Sequence, residues 1–159
     1  MYASPETMKT LRTMYGWAFE SGKARTGYVR PEPHEATEPF RVGSVLATPL
    51  PVDHAAVDTC AYMLESGGMR LVYMPDVKSI PEASLERMKG ADLLIIDGLR
   101  YDLHPTHMCL DESLAAIRAI EPGQAFLTHL SHNMDYRILS GRLPENVGAA
   151  YDGLRLSLP

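Results

Sequence analysis

The sequence predicts an α/β fold, and three observations carry that prediction. From residue 69 onward, strand-like apolar runs alternate with helical patterns, the order expected for helices layered on a sheet. The run Leu93-Leu94-Ile95-Ile96 is continuously apolar, as in a strand buried on both faces. Histidines and aspartates close several of these runs, the placement of functional groups at strand ends in open α/β sheets.

The elements follow in chain order. Ser4-Pro5-Glu6 reads as a helix start, with a capping hydroxyl, proline in the first turn and an acid beside it. Met8, Leu11, Tyr15, Ala18 and Phe19 share one helical face, and Gly22 is the expected stop. Residues 23–39 hold three prolines without clear periodicity and read as a loop or cap. FRVG and SVLATPLP read as strands around a turn at Gly43-Ser44. TCAYMLES and MRLVYM flank Gly67-Gly68, a hairpin signal. SIPEASLERMKG reads as a helix starting at Ser79 and Pro81 and ending at Gly90. ADLLIIDG is a buried strand, DESLAAIRAI a helix capped by Asp111, QAFLTH a strand and MDYRILSGRL a helix. GAAYDG and LRLSL are expected to close the chain as a strand pair.

At 159 residues the chain is long enough for one domain with a real core, and its 45% hydrophobic and 22% charged residues are ordinary for a globular protein. A net charge of -5 argues against a non-specific nucleic-acid binder, which needs a positive footprint. Cys60 and Cys109 form neither a disulfide framework nor a CxxC motif, and a reducing compartment is the simpler reading. No apolar run approaches the roughly 20 residues of a membrane span, and no secretory signal is visible, so the cytoplasm is the expected location.

His54 closes PLPVDH, Asp76 closes MRLVYMPD, Asp97 closes LLIID, and His129 follows AFLT. Singly, each has an ordinary reading. A histidine after a strand is usually a surface or core-edge residue, Asp76 suits a turn, Asp97 a loop cap and Asp111 a helix cap. Jointly they suggest a metal site. Imidazoles with carboxylates suit zinc, manganese or iron, whereas calcium and magnesium prefer oxygen shells. Cys109 lies two residues from His107, but a buried, unreactive thiol is favoured over a Cys–His nucleophile. Lys9, Arg12, Lys23, Arg25 and Arg30 read as a solvated face, with a cationic wall for a phosphorylated substrate as the functional alternative.

PLPVDH, the Asp76 segment, HPTH, LTHLSHNMDY and LPENVGAAYDGL together resemble metallo-β-lactamase-fold metal-dependent hydrolases. The resemblance covers nearly the whole chain and is nearest to the cyclic phosphodiesterase of phosphonate degradation (phosphoribosyl cyclic phosphate phosphodiesterase), with tRNase Z more distant. It implies the C-terminal part of an αββα sandwich: residues 1–39 as helix plus cap segment, and 40–159 as a βαβ-rich half of one partial domain. It also implies His54 as a ligand of a first metal, Asp76 as a carboxylate bridging two metals, and His129 as a ligand of the second. His107 would protonate the leaving group, while His132, Asp97 and Asp152 would support the ligands from outside. His104 receives no role.

The implied chemistry is phosphodiester hydrolysis by a hydroxide activated by two divalent metals, zinc or manganese. The implied substrate is a small phosphodiester, in preference to nucleic acid and with no membrane. The family's HxHxDH motif, which supplies most metal ligands, is absent, and no H-x-H occurs anywhere in the chain. The chain therefore reads as a truncated family domain. Partial or absent metal binding and little hydrolysis by this polypeptide alone are expected. The alternative is a non-catalytic half-domain that pairs with itself or with a missing N-terminal half.

Overall fold

Two tight turns set the first part of the sheet. Gly43 and the pair Gly67-Gly68 all adopt positive φ, which glycine reaches without steric cost. They reverse the chain between β3 (Phe40–Val42) and β4 (Val45–His54), and between β5 (Val57–Ser66) and β6 (Met69–Met74). A third reversal at Ala55-Ala56 makes β3 to β6 an antiparallel meander. Helices then intervene and the pairing changes. α3 (Glu82–Met88) leads to β7 (Leu93–Asp97), and α4 (Leu110–Ile120) leads to β8 (Gln124–Thr128). α5 (Tyr136–Ser140) precedes β9 (Val147–Ala149), and β6 to β9 are parallel neighbours. A helical crossover returns the chain to the starting edge of the sheet, so the next strand runs parallel.

This computed structural model describes residues 1–19 and 30–157. Its sheet runs in the order β3-β4-β5-β6-β7-β8-β9. Near the N-terminus, β1 (Tyr2–Ala3) pairs in parallel with β2 (His34–Glu35), and α1 (Pro5–Met14) and α2 (Gly16–Phe19) follow β1. No helix among the described residues is long and apolar enough to cross a membrane.

Strand alternation divides the sheet into two unequal faces. Val72, Met74, Leu94, Ile96, Leu127 and Val147 are buried, in one cluster with Met88 of α3, Ile117 and Ile120 of α4 and Leu139 of α5. The intervening Leu71, Ile95 and Phe126 are only partly buried, and Tyr73 is exposed. The helices therefore cover one face. The cluster's boundary lies at the C-terminal ends of the parallel strands, where apolar side chains give way to Asp97 and the loops beyond.

Several expectations need correction. The last helical expectation before β8 began at Asp111, but α4 begins at Leu110 with Cys109 as N-cap. Glu112 accepts the Cys109 N–H at 2.9 Å, which places Asp111 inside the first turn, where its charge still favours the helix dipole. Ser79 does not start α3, because its hydroxyl is bonded to Asp53, and Pro81 takes the cap position. The first helix ends at Met14 and bends into α2, leaving Tyr15 exposed and Met8 the one buried residue of α1. The loop assigned to 23–39 contains β2. Leu154–Ser157 form no strand, since the chain turns at Gly153 and the Leu154 N–H returns to the Tyr151 carbonyl. Gly22, Lys23 and Arg25 lie outside the described residues.

Burial pushes the Glu112 carboxyl up, but the Lys78 ammonium at 2.6 Å and the Cys109 N–H outweigh it, and its pKa lies below the usual value. A depressed folded-state pKa means stability present above the unfolded pKa and lost as pH falls through the folded one. Glu112→Gln should therefore cost about 1–2 kcal/mol at pH 7. The deficit should shrink toward zero below the carboxylate range, as thermal melts at pH 7 and pH 3 would show.

Candidate metal centre

Backbone hydrogen bonds join the loops at the strand ends. Asp53, beside His54 at the end of β4, exchanges bonds with the loop after β6: its N–H reaches the Ser79 carbonyl at 2.9 Å and its carbonyl accepts the Lys78 N–H at 2.6 Å. The Met108 N–H donates to the Val77 carbonyl at 2.8 Å, tying the HPTH segment to the Asp76 loop. Gly98 donates to Thr128 at 3.0 Å, and Ser131 donates to Leu99 at 2.8 Å. Four segments far apart in sequence thus present their polar residues to one place.

His54, His107 and His129 form a row of rings there. His107 lies between its neighbours, 4.5 Å from the His54 centroid and 4.7 Å from that of His129. Two sets of potential donor atoms lie within 4.8 Å of one another: His54 with Asp76 and His107, and Asp97 with His107 and His129. His129 Nδ1 is 3.2 Å from an Asp76 carboxylate oxygen. His129 itself has φ 60°, a left-handed conformation that costs a non-glycine residue about 1–3 kcal/mol and clusters at functional sites.

Asp97 is the buried centre of this arrangement, with no exposed surface. Its Oδ2 accepts the Val77 N–H at 3.2 Å and the His107 Nδ1–H at 2.7 Å. Its Oδ1 is buried without a hydrogen-bond partner and lies 3.8 Å from His129 Nδ1. An orphaned carboxylate oxygen in a buried position is costly unless a cation or donor meets it.

Thr106 pins two of the histidines, His54 and His104. The Thr106 carbonyl accepts from His54 Nδ1 at 2.8 Å, which leaves the His54 Nε2 lone pair free. The Thr106 N–H donates to His104 Nδ1 at 3.3 Å, and its hydroxyl meets the same nitrogen at 3.2 Å. Partial shielding from water, then the positive charge of Arg100 and the neighbouring His107, hold His104 below the usual histidine pKa.

The structure therefore brings together His54, Asp76, Asp97, His107 and His129. It does not bring in His132 or Asp152: both are exposed, and no side-chain hydrogen bond or ion pair among the described residues joins either to the cluster. Asp97 stands where a supporting role was expected of it, against the His107 ring, whereas Thr106 was missed. The only signal for Thr106 was its position between the two histidines of HPTH, where its backbone could serve both. Cys109 is buried, in line with the unreactive reading. Arg12 lies over the Phe19 ring at 5.1 Å, on the N-terminal helical segment.

Residues 1–130 match the family model described as the beta-lactamase superfamily domain. The chain belongs to the metallo-β-lactamase superfamily. Its family and structural neighbours are metal-dependent hydrolases. It is 28% identical to a diphosphatase of the PhnP family, with a TM-score of 0.86 over 99% of this chain and 58% of that one. Against zinc-bound PqqB from Methylobacterium extorquens, identity is 22% and the TM-score 0.72, over 99% of this chain and 64% of PqqB, a likeness of fold. An octanoyltransferase from Porphyromonas gingivalis (strain ATCC BAA-308 / W83) is 30% identical over 118 residues, 73% of this chain and 23% of that protein. The chain thus spans about a quarter of that curated relative and less than two thirds of these solved structures.

The metallo-β-lactamase fold binds divalent metals, and the residues present fit one. The donor set mixes imidazole nitrogen with carboxylate oxygen, the His54 Nε2 lone pair is free, and Asp97 Oδ1 is an unsatisfied buried acceptor.

If Asp97 sets the His107 tautomer, Asp97→Asn should change it. Long-range proton–nitrogen NMR should show one Nδ1–H form in the parent chain and a mixture in the variant. An unchanged His107 pattern would show that the carboxylate does not hold the ring.

Proposed function

We propose that this chain carries part of the active site of a metal-dependent phosphodiesterase, with His54, Asp76 and His129 as metal ligands and His107 as proton donor. The observation that carries the reading is the Asp97–His107 pair. A fully buried carboxylate fixes Nδ1–H, so Nε2 is the nitrogen free to take up a proton, forming the imidazolium, and to pass it to an oxygen leaving group. The PhnP-family diphosphatase supports phosphoester or phosphoanhydride chemistry in preference to β-lactam hydrolysis.

His54, Asp76 and His129 would hold a divalent metal, which would supply a bound water of lowered pKa and offset charge on phosphoryl oxygens. The mixed nitrogen and oxygen ligands suit zinc or manganese. Asp76 would contribute carboxylate oxygen beside the two imidazoles. As an imidazolium with its Nδ1–H held by Asp97, His107 would give its Nε2 proton to the oxygen released as the P–O bond breaks and be left as the neutral Nδ1–H form, a step worth roughly 10²–10⁴-fold. Asp97 touches no substrate and acts through His107 as a positioning residue.

Three metal ligands shared between two metal positions leave each short of the three or four that zinc sites use. The 159 residues contain no H-x-H to add to them. This favours a second, non-catalytic reading for the polypeptide by itself, in which the half-exposed sheet face seats a partner.

The assay is hydrolysis of a generic phosphodiester with added manganese, with His54→Ala as control. Slow turnover that falls to background in His54→Ala supports the hydrolase reading. Equal rates in both proteins contradict it and favour the non-catalytic one.

A further inference from the structure

His104 is the histidine of this cluster to which neither the family resemblance nor the metal geometry gives a role. It belongs to neither of the two donor sets that could hold an ion. Its ring nevertheless sits beside His107, 5.2 Å between centroids. Its chemistry is constrained more tightly than its half-buried position suggests. A backbone N–H can only donate, so the Thr106 N–H at 3.3 Å requires Nδ1 to be an acceptor. An imidazole that accepts at Nδ1 carries its proton at Nε2 and is neutral. The Thr106 hydroxyl at 3.2 Å reinforces the same tautomer. Nε2–H has no protein acceptor among the described residues' hydrogen bonds and ion pairs.

The loop that presents it is also braced. The Arg100 guanidinium donates to the Asp102 carbonyl at 3.1 Å and to the Leu103 carbonyl, wrapping residues 100–103 around itself. The Leu110 N–H closes the loop on the Arg100 carbonyl at 2.9 Å. His104 and His107 are therefore neighbours of opposite disposition. His107 has its Nδ1–H engaged by Asp97 and offers Nε2 for proton transfer. His104 has Nδ1 engaged as acceptor and offers Nε2–H as a fixed neutral donor.

We propose that His104 Nε2–H is a hydrogen-bond subsite for a phosphoryl oxygen of the substrate, beside the proton donor His107. A neutral donor suits this task. It recognises an anionic oxygen without adding a charge next to the metal ligands, and its direction is set before substrate arrives. His104 would fix how the phosphoryl group is turned, so that the leaving-group oxygen faces His107. The inference rests on the hydrolase reading above, because it assigns a phosphoryl ligand to the same cleft.

The test is titration of the 159-residue chain with inorganic phosphate in the presence of zinc, read by the nitrogen and proton shifts of the histidine rings. The parent chain, His104→Ala and His104→Gln are compared, and zinc affinity is measured separately for each. The expected result is a phosphate-dependent shift at His104 Nε2, a roughly tenfold weaker phosphate Kd in His104→Ala, and recovery in His104→Gln, whose amide restores a donor (about 1.4 kcal/mol for tenfold). Zinc affinity should be the same in all three. Equal phosphate affinity in parent and His104→Ala overturns the subsite while leaving the hydrolase reading standing. Weaker zinc binding in His104→Ala makes His104 a metal ligand and also overturns it. No phosphate response together with no zinc response at His54 overturns both readings.

Discussion

The buried carboxylate of Asp97 is the interaction on which the site depends. It stands at the end of β7, between β6 and β8, with no exposed surface. An ionised carboxylate is costly to bury unless it is paired and hydrogen-bonded. Here Oδ2 is satisfied twice, by the Val77 backbone and by His107, while Oδ1 is left without a partner beside His129. The half that is satisfied joins the Asp76 loop to the HPTH loop. The half that is not stands as a buried, unsatisfied acceptor 3.8 Å from His129 Nδ1.

The sheet supplies the rest of the geometry. Parallel strands β6, β7 and β8 end at one level, so the residues that follow them emerge side by side. β4 reaches the same level from the antiparallel side, and its Asp53 is bonded to Lys78 and Ser79 across the gap. Histidines more than 20 residues apart thus approach within ring contact without any local motif. The strain at His129, with φ 60°, is offset by the surrounding loop bonds and directs a ring back toward Asp76.

Much of this was legible in the sequence because its signals are local. Glycine turns at Gly43 and Gly67-Gly68, the apolar run Leu93–Ile96 and the Ser4-Pro5 cap each act within a few residues. What was missed depends on distant contacts. Ser79 resembled a helix cap until Asp53, 26 residues earlier, claimed its hydroxyl. Asp111 resembled a cap because the Glu112 bond to the Cys109 N–H depends on backbone geometry that residue types do not display. At the site, His54, Asp76, Asp97 and His129 were singled out by their place after apolar runs, and the structure brings them together. The part played by Thr106 was hidden, as were the partners of Asp97, because both rest on hydrogen bonds between residues up to 52 positions apart.

If the polar strand ends form one metal-binding cleft, a metal must meet their side chains together. Paramagnetic broadening by substoichiometric manganese tests it most directly, read on the histidine ring resonances of the 159-residue chain. His54, His107 and His129 should broaden together and first, while His34, exposed on β2 and outside both donor sets, remains sharp at the same manganese concentration. Broadening of His34 in step with the other three would mean that manganese meets separate surface imidazoles, and the cleft would not be a metal centre.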